Sequence, residues 1–157
     1  MTHRIKSVTP IDGHILLVIF QDGTEKKYDM RNMYSIYPPF KEFEINPTLF
    51  NSVKVDMGGL GVIWNDKLDF NSEDIWYDGV ATGVIHPISD LEQLAVNLTN
   101  ARNSVDMTQR ELGEATGIYQ GDISKIENGT ANPTFSTLKR LADAMNMRLD
   151  IKFVPNK

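Results

Sequence analysis

Gln109, Gln120, Ser124, Lys125 and Asn128 place three amides, a hydroxyl and an ammonium group in one short stretch of the chain. An amide side chain carries a donor and an acceptor together and bonds adenine at two points, which is worth ~1–3 kcal/mol of discrimination against the wrong base. A lysine either bonds guanine or neutralises a phosphate, so Lys125 specifies or merely positions. Other chemistries find less support. The carboxylates of the first half fall at strand turns and helix starts, where solvation accounts for them. His3, His14 and His86 are scattered, no two stand four residues apart, and the chain has no cysteine, so no metal-ligand spacing exists. Gly58-Gly59-x-Gly61 precedes the strand-like Val62-Ile63-Trp64 rather than a helix, and no Lys-Ser/Thr follows; a hairpin turn fits better than a phosphate loop. Trp64, Trp76 and Tyr77 lack the interleaved basic residues of a single-strand stacking platform and read as core or domain-contact residues. The expectation is a protein that is not an enzyme, with no metal and no cofactor.

The amide-bearing stretch sits among strong helix signals. Ser89-Asp90-Leu91-Glu92 fits a capping box that opens a first helix, with Leu91, Leu94, Ala95, Leu98 and Ala101 on one face. Thr108-Gln109-Arg110-Glu111 is a second box, flanked by Met107 and Leu112 at the two staple positions. Gly117 supplies a left-handed stop soon afterwards. A third helix follows, with Ile123 and Ile126 as its apolar edge, Gln120, Ser124, Lys125 and Asn128 on other faces, and Gly129 as its end. A short helix, a Gly-containing turn and a second short helix with an amide-rich start describe the helix-turn-helix, whose second helix enters the major groove. A fourth helix is expected over Thr134 to Met145, capped by Thr134 and stopped by Asn146. The tail then changes period: Leu149, Ile151 and Phe153 alternate with Arg148, Asp150 and Lys152, the pattern of a strand that needs a neighbour.

The run Thr108-Gln109-Arg110-Glu111-Leu112, Gly117, Gln120 to Ile126, Glu127-Asn128-Gly129 and Pro133 resembles the Cro/cI-type phage repressor family over about residues 90–147. The resemblance implies that Gln109 and Asn128 touch phosphates, that Gln120 reads a base edge, and that Ser124 and Lys125 lie over the groove. Arg110, Tyr119 and Gly121 complete the candidate DNA-contact set. It also implies a structural pair between Arg102 and Glu127, and a homodimer on paired half-sites of double-stranded DNA. Dimerisation would use Leu149, Ile151 and Phe153, with pairing to the N-terminal sheet as the alternative. The chain departs from the family pattern at Tyr119, where a small hydroxyl residue is usual, and at Gly121, where a base-reading side chain is common. Asp122 places a carboxylate near the DNA face, and Gly113 replaces the usual alanine, at ~1 kcal/mol in helix propensity. These departures keep open a second reading, a protein-interaction adaptor whose helix-turn-helix no longer binds DNA.

The first half is written in strands. Ile5 to Thr9, Ile15 to Phe20 and Thr24 to Asp29 are separated by Asp12-Gly13 and Asp22-Gly23, which predicts a three-strand meander. A helical turn at Asn46-Pro47, a hairpin over Val53–Met57 and Val62–Trp64, and a short helix from Ser72 (its N-cap) to Asp78 follow. Residues 79–89 lose periodicity and carry Gly83 and Pro87. Domains are therefore placed at 1–83 and 90–157 with a linker at 84–89. Ser7-Val8-Thr9-Pro10, Phe20-x-Asp22-Gly23, Asp29-Met30, Pro39-Phe40, Phe50 to Val55 and Trp64 with Asp69 resemble a short bacterial domain of unknown function. That resemblance implies binding of a small toxin-like protein, hence an antitoxin-like regulator.

Composition bounds these readings. The chain has 157 residues, net charge −5 and 41% hydrophobic residues, an ordinary α+β globular composition: a small antiparallel-sheet domain with short helices, then a helical helix-turn-helix domain ending in a strand. The acidic balance excludes a protein that coats nucleic acid or anionic membrane by bulk charge. The longest apolar run, Ile15 to Phe20, is far below the ~20 residues of a membrane span. No signal peptide is visible, and a cytoplasmic protein is expected.

Overall fold

The computed structural model describes residues 3–153 and 155. Two compact units appear, one ending at Ile88 and the next beginning at Ser89. In the first, strands β1 (Ile5–Ile11), β2 (Ile15–Phe20) and β3 (Thr24–Asp29) form an antiparallel meander with Val8 opposite Val18 and Leu17 opposite Lys27. Alternation in β2 puts Leu16, Val18 and Phe20 inward, all fully buried. Two 3-10 turns and the short helices α1 (Glu42–Ile45) and α2 (Pro47–Asn51) lead to a second sheet of β4 (Lys54–Val55), β5 (Gly61–Asn65) and β6 (Leu68–Asn71). The sheets share one core in which Phe40, Phe43, Phe50 and Trp64 meet ring to ring, and the Trp64 indole N–H donates to the Phe50 carbonyl (3.0 Å). Helix α3 (Ser72–Asp78) follows, then β7 (Val80–Ile85).

Four details depart from the sequence reading. Strand β6 extends the expected hairpin to three strands. Asn71, not Ser72, caps α3 by accepting from the Glu73 amide (2.7 Å), and Ser72 is buried in the first turn. Tyr77 is exposed, because Ile75 takes the core-facing side of so short a helix; Trp64 is buried and Trp76 stacks on His3 at 3.8 Å. Residues 80–85, taken partly for linker, pair with β3, and His86 donates its amide to the Gly23 carbonyl (2.8 Å). Gly23 makes this closure feasible: at φ 87°, a Cβ there would lie 2.3 Å from the His86 carbonyl oxygen.

The second unit is helical: α4 (Asp90–Ser104), α5 (Gln109–Thr116), α6 (Gln120–Glu127) and α7 (Phe135–Ala144). Its core joins Leu98, Leu112, Ile123, Ile126, Leu141 and Met145. Asn146 stops the last helix in the left-handed region at φ 55°. The strand expected after it is not formed: Met147 to Phe153 carry no ladder in the single chain, since a lone extended segment has no backbone to bond to within this unit. Among the described residues, no helix is long and apolar enough to cross a membrane, and no group of three or more His, Asp or Glu is placed to hold a metal ion.

Candidate nucleic-acid interface

Both capping boxes close. The Ser89 hydroxyl accepts from the Glu92 amide (3.2 Å) and the Glu92 carboxylate accepts from the Ser89 amide (2.8 Å). At α5, Thr108 and Glu111 repeat the exchange at 3.1 and 2.7 Å. The Thr108 backbone N–H, and after it the Thr108 hydroxyl, hold the Glu111 carboxyl below the usual carboxylate range. This support is therefore complete above that range and fades as pH falls through the lowered value. Met107 and Leu112 join the same apolar core, as a staple requires.

The turn between α5 and α6 is tight. Gly117 takes φ 67° and its N–H donates to the Gly113 carbonyl (2.8 Å). A Cβ on Gly113 would stand 2.8 Å from the Ile118 carbonyl oxygen, so the departure from alanine lets the turn close directly on α5. Arg140 of α7 donates to the Thr116 carbonyl and pins the turn from outside. No local sequence signal marks that contact, because the partners lie 24 positions apart.

Beneath the surface runs one polar chain. Arg102 donates to both carboxylate oxygens of Glu127 at 2.6 and 2.9 Å and to the Met107 carbonyl at 2.6 Å. Glu127 is fully buried. Its Oε2 also accepts from the Gln109 amide (2.8 Å), and the Gln109 Oε1 accepts from the Gln120 amide (3.2 Å). A buried ion pair is thus linked through two glutamines to the exposed start of α6.

Among the residues singled out above, Arg110, Tyr119, Gln120, Lys125 and Asn128 are exposed, and Gln109, Gly121 and Ser124 are half-buried. Asn128 donates to the Ser124 hydroxyl at 3.4 Å. The cations are matched within the protein: Arg110 with Glu114 (3.0 Å) and Lys125 with Asp122 (3.1 Å). Asp122 therefore screens Lys125 rather than standing alone on this face. Tyr119, 77% exposed, folds its ring back over Gly121, where a Cβ would come within 2.7 Å of the ring. Sequence reasoning noted both departures but not that they form a pair. Leu149 is half-buried, while Ile151 and Phe153 are exposed.

Two family models match the chain: "Helix-turn-helix" over residues 98–152 and "Protein of unknown function (DUF2442)" over residues 5–81. Residues 98–152 are a helix-turn-helix domain of the Cro/cI type. This domain follows an N-terminal DUF2442 domain. An uncharacterized HTH-type transcriptional regulator, y4dL, of Sinorhizobium fredii is 38% identical over 66 residues, covering 42% of this chain and 33% of that protein. Control protein C.SmaI of Serratia marcescens is 38% identical over 55 residues, 35% of this chain and 66% of that one. The RNA polymerase sigma-F factor of Bacillus subtilis is 37% identical over 62 residues, 40% of this chain and 24% of that one. The chain thus spans from 24% to 66% of the length of these relatives.

Proposed function

We propose that the chain is a sequence-specific DNA-binding transcriptional regulator, acting as a homodimer on an operator with two half-sites. The observation that carries this reading is the outward amide of Gln120 at the start of α6, steadied from below by Gln109, Glu127 and Arg102. Gln120 reads a base edge, Gln109 and Asn128 contact phosphates, and Ser124, Lys125 and Arg110 lie along the groove. In its finer form the regulator is a repressor, and an antitoxin whose acidic N-terminal domain holds a small toxin-like protein. The regulator-named relatives support the general form.

Because Arg110 and Lys125 are already paired with carboxylates, each phosphate contact exchanges one partner for another and the gain per subunit is small. Two subunits on paired half-sites offset this. Retention of the chain's own upstream promoter fragment should fall steeply with salt. Gln120→Ala is expected to relax choice at one base pair, whereas Asn128→Ala, at a phosphate contact that does not touch Gln120, should weaken all sites alike. Equal losses on every sequence would refute the base-reading role, and no retention at any salt would favour an adaptor. Co-purification with the product of the adjacent reading frame tests the antitoxin form.

Tyr119 and Gly121 give a further expected result. Gly121→Ala should drive the Tyr119 ring off the helix and alter the preferred base at that position in a binding-site selection. The domain itself should gain up to about 1 kcal/mol from helix propensity. An unchanged selected sequence would show that the ring does not face the bases.

A further inference from the structure

Asp122 and Lys125 stand three residues apart on α6, the helix that opens with Gln120, and their side chains meet at 3.1 Å with 56% and 64% of their surface exposed. The opposite side of the helix is fixed by Ile123, Ile126 and Glu127, all buried. The carboxylate has no capping duty. Tyr119 is the N-cap, and among the described residues the hydrogen bond made by the Asp122 side chain is the one it accepts from Lys125. An exposed pair of this kind adds little to the stability of a helix, so its position on the outward face calls for another account.

Phosphate does not suit such a pair. Bringing the ammonium to a phosphate drags the carboxylate toward the same polyanion, and the attraction of one is offset by the repulsion of the other. A base pair suits it better. In the major groove the carboxylate must accept from an amino group, and only cytosine N4 and adenine N6 offer one. Adenine N6 stands between two acceptors, its own N7 and thymine O4. One ammonium covers one of them, and the carboxylate is left facing the other. In a G·C pair the two acceptors, guanine N7 and O6, lie side by side under a single ammonium, and the cytosine edge presents its donor alone. Reversing the pair sets the carboxylate against guanine's acceptors, so the charges also select the orientation.

We infer that Asp122 and Lys125 together read one G·C pair, with Lys125 donating to guanine N7 and O6 and Asp122 accepting from cytosine N4–H. Asp122 is then a specificity-determining residue as well as a neutralising one. This rests on the DNA-binding reading above and deepens it by naming a base pair. Selection of duplexes from a random pool by the full chain should yield a site with a fixed G·C column. Asp122→Ala separates the two roles by sign. As a reader of cytosine, its loss relaxes that column and lowers affinity for the selected duplex about tenfold, with the other columns unchanged. As a screen alone, its loss frees a cation and tightens every duplex alike, which would overturn the inference. N4-methylcytosine at the selected pair puts a methyl group where the carboxylate must sit. It should weaken the wild-type chain about tenfold and leave Asp122→Ala unaffected; equal losses in both would also count against the contact. Asp122 is exposed, so the variant should keep the wild-type far-ultraviolet circular dichroism spectrum. A selected site whose columns all survive Asp122→Ala sinks this inference and leaves the regulator reading standing. A full chain that retains no duplex from the pool at any salt sinks both.

Discussion

Glu127→Ala should lower the stability of the helix-turn-helix domain by about 3–5 kcal/mol, because it strands the buried Arg102 guanidinium without a counter-charge. The carboxylate is fully buried and accepts from Arg102 twice and from Gln109 once, so its removal also leaves a cavity and loosens a second amide. Denaturant unfolding followed by far-ultraviolet circular dichroism measures the loss. A shift below about 1 kcal/mol would place this pair with surface ion pairs, whose contribution is that small. The double change Arg102→Met with Glu127→Leu separates stability from function. Replacing a buried ion pair by apolar residues of similar size is often neutral or stabilising, so the fold should recover. Promoter affinity should not, because Gln109 and through it Gln120 lose their anchor. Recovery of both would mean that the polar chain serves the fold only.

Phe43→Ala should cost the N-terminal domain about 3–5 kcal/mol, the range for emptying an aromatic site in a packed core. Phe43 is fully buried and its ring lies 4.8 Å from Trp64, 5.3 Å from Phe50 and 5.6 Å from Phe40. Both tryptophans of the chain belong to this unit, so tryptophan fluorescence reads its unfolding directly. Ile45, 84% exposed at the end of α1 in the same unit, is the matched control, and its change to Ala should stay within about 0.5 kcal/mol. Equal effects at the two positions would contradict the aromatic core described here.

The helix starts were legible because capping is local. A hydroxyl and a carboxylate three residues apart write their own hydrogen bonds, and both boxes close as their spacing implies. The meander was legible for the same reason, with Asp-Gly turns between short β-branched runs. Strand β7 was not. It is largely exposed, its side chains do not alternate between buried and exposed, and its partner β3 is more than fifty residues away, as in the Lys27–Val80 pair. Asn71 outcompeted Ser72 as a cap because tertiary burial took the serine into the core. The tail shows the reverse case: its strand pattern is plain, but a ladder needs two strands and one chain supplies one.

By itself the sequence determined where the helices of the second unit begin and end and where the chain turns in the β1–β3 meander, since each depends on interactions spanning a few residues. The tertiary structure alone decided that Gln120 rests on Gln109, that Gln109 rests on the Arg102–Glu127 pair, and that Asp122 neutralises Lys125 on the outer face. It also decided that the Tyr119 ring occupies the space Gly121 leaves empty. Such convergences depend on the angles at which helices pack and on which rotamers that packing leaves open, and residue spacing does not encode either one.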